Sequence, residues 1–265
     1  MTPRARFLAE AAKAGLPAGP GPSAPVEPEE IAALPEPARR YLRFMGVVGR
    51  PRDWSCRVGF EGRFRIKPDQ RFRNCAVWQY TSGLAVARLV HLRMRYGFVF
   101  PVVGRDSYRD GAGRMLIRLF DLVTIEDEHG DAYDAGGLVA YLNDAVLLAP
   151  SLLLVPEVAW SAADGESFDL ALTDRGRTVS ARMLVDAHGA PRDFSSSDRS
   201  CYDPDAPDEL ARARWTTLVA SWREVQGRPV PTHIEAMWHL AAGRFTYAEL
   251  HIVPETLAFN VAPGA

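Results

Sequence analysis

The densest run of groups able to do acid–base chemistry is Gly104-Arg105-Asp106-Ser107-Tyr108-Arg109-Asp110-Gly111. An arginine can hold a carboxylate or an oxyanion, and a neighbouring aspartate and tyrosine can take or give a proton. Successive side chains of a strand point to opposite faces. Arg105, Ser107 and Arg109 would therefore share one face, and Asp106, Tyr108 and Asp110 the other. An Arg–Asp network at a strand end, closed by a glycine turn, accounts for the same residues. Asn143-Asp144 is a second constellation, set within an apolar stretch. Buried polar side chains need partners, because an unpaired one costs on the order of 1–3 kcal/mol. Asn143 can serve a ligand as a hydrogen-bond donor, or the pair can bond to backbone or to an arginine.

His233, Glu235 and His239 form a third group, with Glu249 and His251 on a neighbouring strand. Imidazoles and carboxylates at such spacing can share a proton. A solvated outer face explains them as simply, and no metal site is expected. Glu235 beside Trp238 has more chemical interest, since a carboxylate in apolar surroundings can act as a general acid or base. Trp78, Tyr80, Tyr96, Trp215, Trp222, Trp238 and Tyr247 can line a cavity or fill a core. Asp198-Arg199 reads as a local ion pair at a strand end. The chain contains no G-x-x-x-x-G-K-[ST], no G-x-G-x-x-G between strand and helix, no H-E-x-x-H and no G-x-S-x-G. Nucleotide-dependent, zincin and serine-hydrolase chemistries thus have no support, and no cofactor is expected.

The elements that must position these groups are mostly strands. From Trp54 the apolar period is two: Cys56, Val58, Phe60, Phe64 and Ile66 alternate with Arg57, Glu61, Arg63 and Arg65. The same alternation marks Val90–Tyr96, Phe168–Leu172, Val179–Val185 and Ile234–Leu240. Turn signals separate the runs at Asp110-Gly111, His129-Gly130, Asp164-Gly165, His188-Gly189 and Gln226-Gly227. Such a pattern predicts a meandering antiparallel sheet that curls into a barrel, half-barrel or sandwich. Residues 136–154 break it. Leu138, Tyr141, Leu142, Ala145 and Leu148 follow helical spacing, so a buried helix ended or kinked by Pro150 is expected, lying across the open side of the sheet. Near the N-terminus, a short helix over 4–14 and a Pro/Gly-rich stretch over 15–28 suggest a loosely attached arm. Pro37 can open a further helix over Ala38–Met45. The expected division is an arm over 1–33 and a single half-barrel domain over 34–262.

Composition narrows the class. Hydrophobic residues make up 47% and charged residues 24%, so a sizeable core is available and global disorder is not expected. The formal net charge of −2 lacks the basic excess of a nucleic-acid binder. Cys56, Cys75 and Cys201 are odd in number and far apart, which suits reduced thiols rather than a disulfide or zinc framework. Residues 1–15 lack the apolar stretch of a signal peptide, and no segment approaches the roughly 18 apolar residues of a membrane span. The expectation is a cytoplasmic protein.

Several stretches resemble an uncharacterised family of bacterial proteins. They are LPEPARRYLRFMGVVGRP (34–51), PVVGRDSYRDGAGRMLIRLFDLV (101–123), YLNDAVLLAPSLL (141–153), FSSSDR (194–199), the W-T-T…V-P-T-x2-E-A-x-W-H segment (215–239) and GRFTYAEL (243–250). The resemblance covers about residues 34–250. It implies a curved antiparallel half-barrel similar to lipoprotein carriers of the LolA/LolB kind, with a helix near the concave side. It implies no reaction. Residues 74–89 look less like the family than their surroundings.

Three functions follow from these readings. The first is a cofactor-independent cyclase, isomerase or lyase of specialised metabolism acting on an apolar small molecule. Asp106, Tyr108 and Glu235 would be its acid–base residues. Arg105, Asn143, Tyr141, Trp78, Tyr96, Trp222 and Trp238 would contact the substrate, and all of them should converge on one pocket. The second is a non-catalytic carrier or sensor of a lipid-like ligand. The third is an interaction protein whose concavity is filled by 138–154.

Overall fold

The computed structural model describes residues 2–96, 100–202 and 210–265, with the side chain of Tyr96 outside that set. The alternating segments form a single antiparallel sheet of 13 strands, curled into a half-barrel. The first six strands meander outward, each pairing with its predecessor: β1 (Ser55–Phe64), β2 (Arg73–Ser82), β3 (Ala87–Tyr96), β4 (Phe100–Arg109), β5 (Ala112–Leu119) and β6 (Val123–His129). The chain then crosses the concave face as a helix, α3 (Asp131–Leu148). It resumes at the far edge with β7 (Val158–Ala162) and meanders back through β8 (Ser167–Asp174), β9 (Arg177–Val185), β10 (Pro191–Tyr202), β11 (Leu210–Val225) and β12 (Arg228–Leu240). β13 (Gly243–Phe259) pairs with both β12 and β1, which joins the two meanders at the centre of the sheet.

Four of the five expected turns connect strands: β4 to β5, β7 to β8, β9 to β10 and β11 to β12. Asp110 and Gly111 have φ of 54° and 82°, the left-handed conformation that a tight hairpin needs. His129-Gly130 differs, because Gly130 starts α3 instead of returning a strand. The β5–β6 hairpin turns at Phe120-Asp121, both left-handed (φ 53° and 60°); a phenylalanine leads and no glycine follows, so the pattern conceals it.

The apolar helix begins five residues before the expected 136–154 segment and ends at Leu148. Asp131 and Asp134 lie in its first turn, where the helix dipole favours acids. Pro150 opens a separate 3-10 turn, Pro150–Leu153. Every side chain from Gly136 to Leu148 is buried, because α3 is enclosed by sheet on most of its circumference. Close approach at its start depends on Gly113 of β5: a Cβ there would stand 2.0 Å from the Tyr133 carbonyl oxygen. The two hairpins that flank this point are tied together. Tyr108 Oη donates to Asp174 at 2.7 Å, Arg175 pairs with Asp110 at 3.1 Å, and Arg177 reaches Asp131 and Asp134 at 3.0 and 3.2 Å.

The N-terminal helix, α1 (Pro3–Lys13), is docked rather than loose. It buries Phe7 and Ala11 against the convex face. Phe7 meets His91 edge-on at 5.1 Å. Glu10 accepts from Arg105 at 2.8 and 2.7 Å and lies 3.1 Å from His91 Nε2. Arg105 also reaches Asp121 at 2.6 Å, and Arg6 pairs with the same carboxylate. Charge therefore holds a helix that has little apolar surface of its own. α2 (Glu36–Phe44) starts with Pro37 in its first turn, as expected, and buries Tyr41 and Leu42. Tyr41 Oη donates to the Val146 carbonyl at 2.7 Å, linking α2 to α3. Cys56 and Cys75 are buried free thiols.

Burial lowers the His91 pKa to about 4, although Glu10 works in the opposite direction. The imidazole is then neutral in the folded protein at pH values where an unfolded one, near 6.5, has begun to protonate. Protons bind the unfolded chain preferentially, so stability falls as pH drops from about 6.5 to about 4. Urea melts across that range should show the decline, and His91→Gln should flatten part of it. An unchanged slope in the variant would place the pH sensitivity elsewhere.

Candidate functional site

The expected acid–base residues stand on separate surfaces. The β3–β4 and β4–β5 registers put Asp106 and Tyr108 on the concave side and Arg105 on the convex side, as strand alternation requires. Arg105 anchors α1 and lies outside the concavity. Glu235 faces outward, paired in register with Glu249 and 4.0 Å from His233, while its neighbours Ile234 and Ala236 point in. Glu235 therefore does not share the Trp238 environment that adjacency in sequence suggests. Trp78 pairs with Gly59 and His91 and also faces outward. Trp222 donates to the Pro191 carbonyl at 3.3 Å and packs edge-on against Phe44 of α2 at 5.3 Å, so it is a packing residue. Tyr141 is buried within the core, which raises its hydroxyl pKa. Tyr96 lies outside the described side chains. The described members of the expected set do not converge on one pocket.

What the concave side does bring together is an ion cluster under α3. Arg88, only 6% exposed, donates Nε to Asp144 of α3 at 2.8 Å and Nη1 to Asp106 of β4 at 2.5 Å. Burial opposes the charge of Arg88, and its two carboxylates more than restore it. Burial also lifts the Asp144 carboxyl above the usual range, with Arg88 acting against the rise. Asn143 accepts from Thr217 Oγ1 of β11 at 2.5 Å. Asn143 and Asp144, the polar pair in the apolar part of the helix, are thus both bonded to the scaffold. Burial, together with the hydrogen bond to Asp174, raises the Tyr108 hydroxyl pKa, consistent with a phenol that holds its proton. Sequence did contain a sign of Arg88: it occupies the same parity as the apolar Val90, Leu92 and Met94.

α3 fills its own part of the concavity closely. A gap lined by Met45, Leu148, Pro150 and Arg228 measures about 10 Å³, room for one water at most. Beyond α3, a strip of inward-facing apolar side chains forms a trough that is only partly buried, although Cys75 and Val77 of β2 within it are buried. It runs from Ile117 and Leu119 on β5 through Leu92 on β3 and Phe64 on β1 to Leu250 and Tyr247 on β13. Phe100 and Phe120, 51% and 44% exposed, pack together at 5.7 Å at the rim. Gly104, between Leu92 and Ile117 in register, presents no side chain to the trough.

One cation enters this trough. The guanidinium of Arg199 lies 4.2 Å from the Trp215 ring centroid and 5.4 Å from that of Trp238. Tyr247 stacks on Trp238 at 6.4 Å and accepts from Trp215 Nε1 at 2.9 Å. Arg199 Nε is buried without a hydrogen-bond partner, and no carboxylate pairs with Arg199 among the described residues. Sequence reading paired it with Asp198. A bulge separates them: Ser196 pairs with Trp215 and Arg199 with Ala213, so one strand gains a residue on the other. Arg199 is thereby turned inward, while Asp198 bonds to Ser180 and Arg212 on the outside. Nothing in simple alternation marks this reversal.

The convex face has a hollow of about 620 Å³, lined by Glu61, Arg63, Asn74, His233, Glu249 and His251. Arg63 pairs with Glu249 in its wall, and His233 stacks on His251 at 4.6 Å while its buried Nε2 has no hydrogen-bond partner among the described residues. Among the described residues no group of His, Cys, Asp or Glu could hold a metal ion.

Fold and site together define a curled antiparallel half-barrel with one helix packed into its concave face and an apolar trough beside it. The chain belongs to the family of unknown function DUF6544, whose model matches residues 24–250. No curated protein matches its sequence. Among solved structures it is similar to a putative outer membrane lipoprotein-sorting protein domain from Vibrio parahaemolyticus, with 12% identity, a TM-score of 0.42, and 77% of this chain and 85% of that one covered. It is similar to a DUF1329 family protein from Desulfovibrio piger at 11% identity and a TM-score of 0.44, covering 84% and 91%. A LolA superfamily protein from Nitrosomonas europaea gives 12% identity and a TM-score of 0.36, covering 81% and 90%.

Removing Arg88 would leave two carboxylates in the core without a counter-charge. Arg88→Met should cost about 3–5 kcal/mol of folding stability, the usual penalty for breaking a buried pair from one side. Adding Asp106→Asn and Asp144→Asn should recover part of it, as read from denaturant midpoints. A single variant as stable as the parent would mean the cluster is solvated.

Proposed function

We propose that the protein binds an apolar small molecule non-catalytically in the trough beside α3, as a carrier or sensor. The carrying observation is the row of inward-facing apolar residues that the helix leaves partly uncovered, from Ile117 to Tyr247. Ligand sites are typically concave and apolar with few polar groups, and this surface has that make-up. The apolar rim at Phe100 and Phe120 extends the same surface outward. A cofactor-independent cyclase, isomerase or lyase would need Asp106, Tyr108 and Glu235 around one substrate. Two of them are engaged by Arg88 and Asp174, and the third faces outward, so binding is the better supported reading.

Gly104 provides a test with little risk to folding. A Cβ at this position meets nothing closer than 3.9 Å. Gly104→Leu should therefore fold normally while placing a side chain in the trough. Titration with the neutral fluorophore N-phenyl-1-naphthylamine should show saturable binding to the parent protein and roughly tenfold weaker binding to the variant, a loss of about 1.4 kcal/mol. Absence of saturable binding to the parent, or equal affinity in a folded variant, would overturn the proposal.

A further inference from the structure

We infer that the ligand is an anionic amphiphile whose carboxylate or phosphate head is held by Arg199, with its apolar body along the trough. This inference rests on the trough being a binding site and adds the chemistry of its occupant. A guanidinium facing a core is ordinarily matched by acids, and this protein does so at Arg88, where Asp106 and Asp144 both reach it. Arg199 also faces inward, but against Trp215 and Trp238. Indole faces stabilise a cation and fix its plane, yet they accept none of its in-plane N–H bonds. Those donors point along the plane of the guanidinium, and the buried Nε has no acceptor. Planar forks of this kind match carboxylate and phosphate oxygens in a bidentate manner.

The setting favours a ligand that is apolar apart from its head. Tyr247 and Phe64 lie edge to face at 5.5 Å beside the tryptophans and continue the surface away from Arg199. Asp198, the nearest acid in sequence, is held on the convex side by Ser180 and Arg212 and does not compete for the inward guanidinium. The bulge that turns Arg199 inward thus separates a cation from its neighbouring anion. The result is one positive charge beside apolar walls, complementary to an oxyanion on a long apolar chain.

The test is displacement of N-phenyl-1-naphthylamine by three chains of equal length: palmitic acid, the lysophosphatidic acid bearing a palmitoyl chain, and the neutral hexadecanol. The parent protein should bind at least one anion roughly tenfold or more tightly than the alcohol, in keeping with charge-assisted hydrogen bonds. Arg199→Gln should erase that preference, with a near-UV circular dichroism spectrum and a denaturant midpoint like the parent's showing that the variant is folded. Arg199→Lys, which keeps the charge but loses the planar fork, should fall between. Preference for the fatty acid identifies a carboxylate head, and preference for the lysophospholipid a phosphate head. Equal binding of anions and alcohol by the parent, or a preference that survives Arg199→Gln, would overturn the head-group assignment while leaving the apolar site standing. Failure of the fluorophore itself to bind would remove the site and this assignment together.

Discussion

A helix can cover only a strip of a curled sheet. α3 has 18 residues, a length on the order of 27 Å, and a helix with its side chains is about 10–12 Å across. Strands on both sides of the half-barrel present apolar residues inward, and this strip cannot reach them all. Much of the structure follows from that mismatch. Where α3 lies, the concave face becomes a core in which every residue from Gly136 to Leu148 is buried. Where it does not, the same alternating pattern leaves apolar side chains partly exposed to solvent.

Placing a helix against the inside of a sheet also requires its polar residues to be satisfied there. Asn143 and Asp144 meet Thr217 and Arg88. Arg88 in turn engages Asp106, so a single charged cluster joins β3, β4 and α3. Such a cluster contributes modestly to net stability, because desolvation offsets most of the attraction, but breaking it from one side is costly. It specifies where along the sheet the helix sits. The ties from Tyr108 to Asp174 and from Arg177 to Asp131 and Asp134 do the same for the helix's first turn.

The two inward arginines show how similar residues acquire different roles. Arg88 is enclosed by acids that come from distant parts of the chain. Arg199 is enclosed by aromatic rings, with its in-plane donors left to other partners. Arg88 is buried and Arg199 only partly so, and the polarity of their nearest neighbours differs as well. On the convex side the division is simpler. Charged residues there hold α1 through Glu10, Arg105 and Asp121, and the His233–His251 stack lines an open hollow.

Local pattern determined much of this protein. Alternation over 56–64, 90–94, 179–185 and 234–240 specified strands and their inner faces, since the period of two is a backbone property, whereas Ile66, expected on the same inner face, lies past the end of β1 and is exposed. The apolar segment specified a buried helix, and glycine pairs specified most turns. The split of Asp106 and Tyr108 from Arg105 was also legible, for the same reason. Tertiary structure decided the rest. Bulges at Arg199 and near Tyr247 shift the pairing by a residue and reverse which side chains face inward, and no single-strand pattern records them. Glu235 and Trp238, close in sequence, have opposite faces because a strand separates odd from even. Arg88 and Asp144, 56 residues apart, become partners only when the helix folds back across the sheet. Sequence thus determined which residues were available on each element, and packing between elements decided which of them would meet a partner, a core or open space.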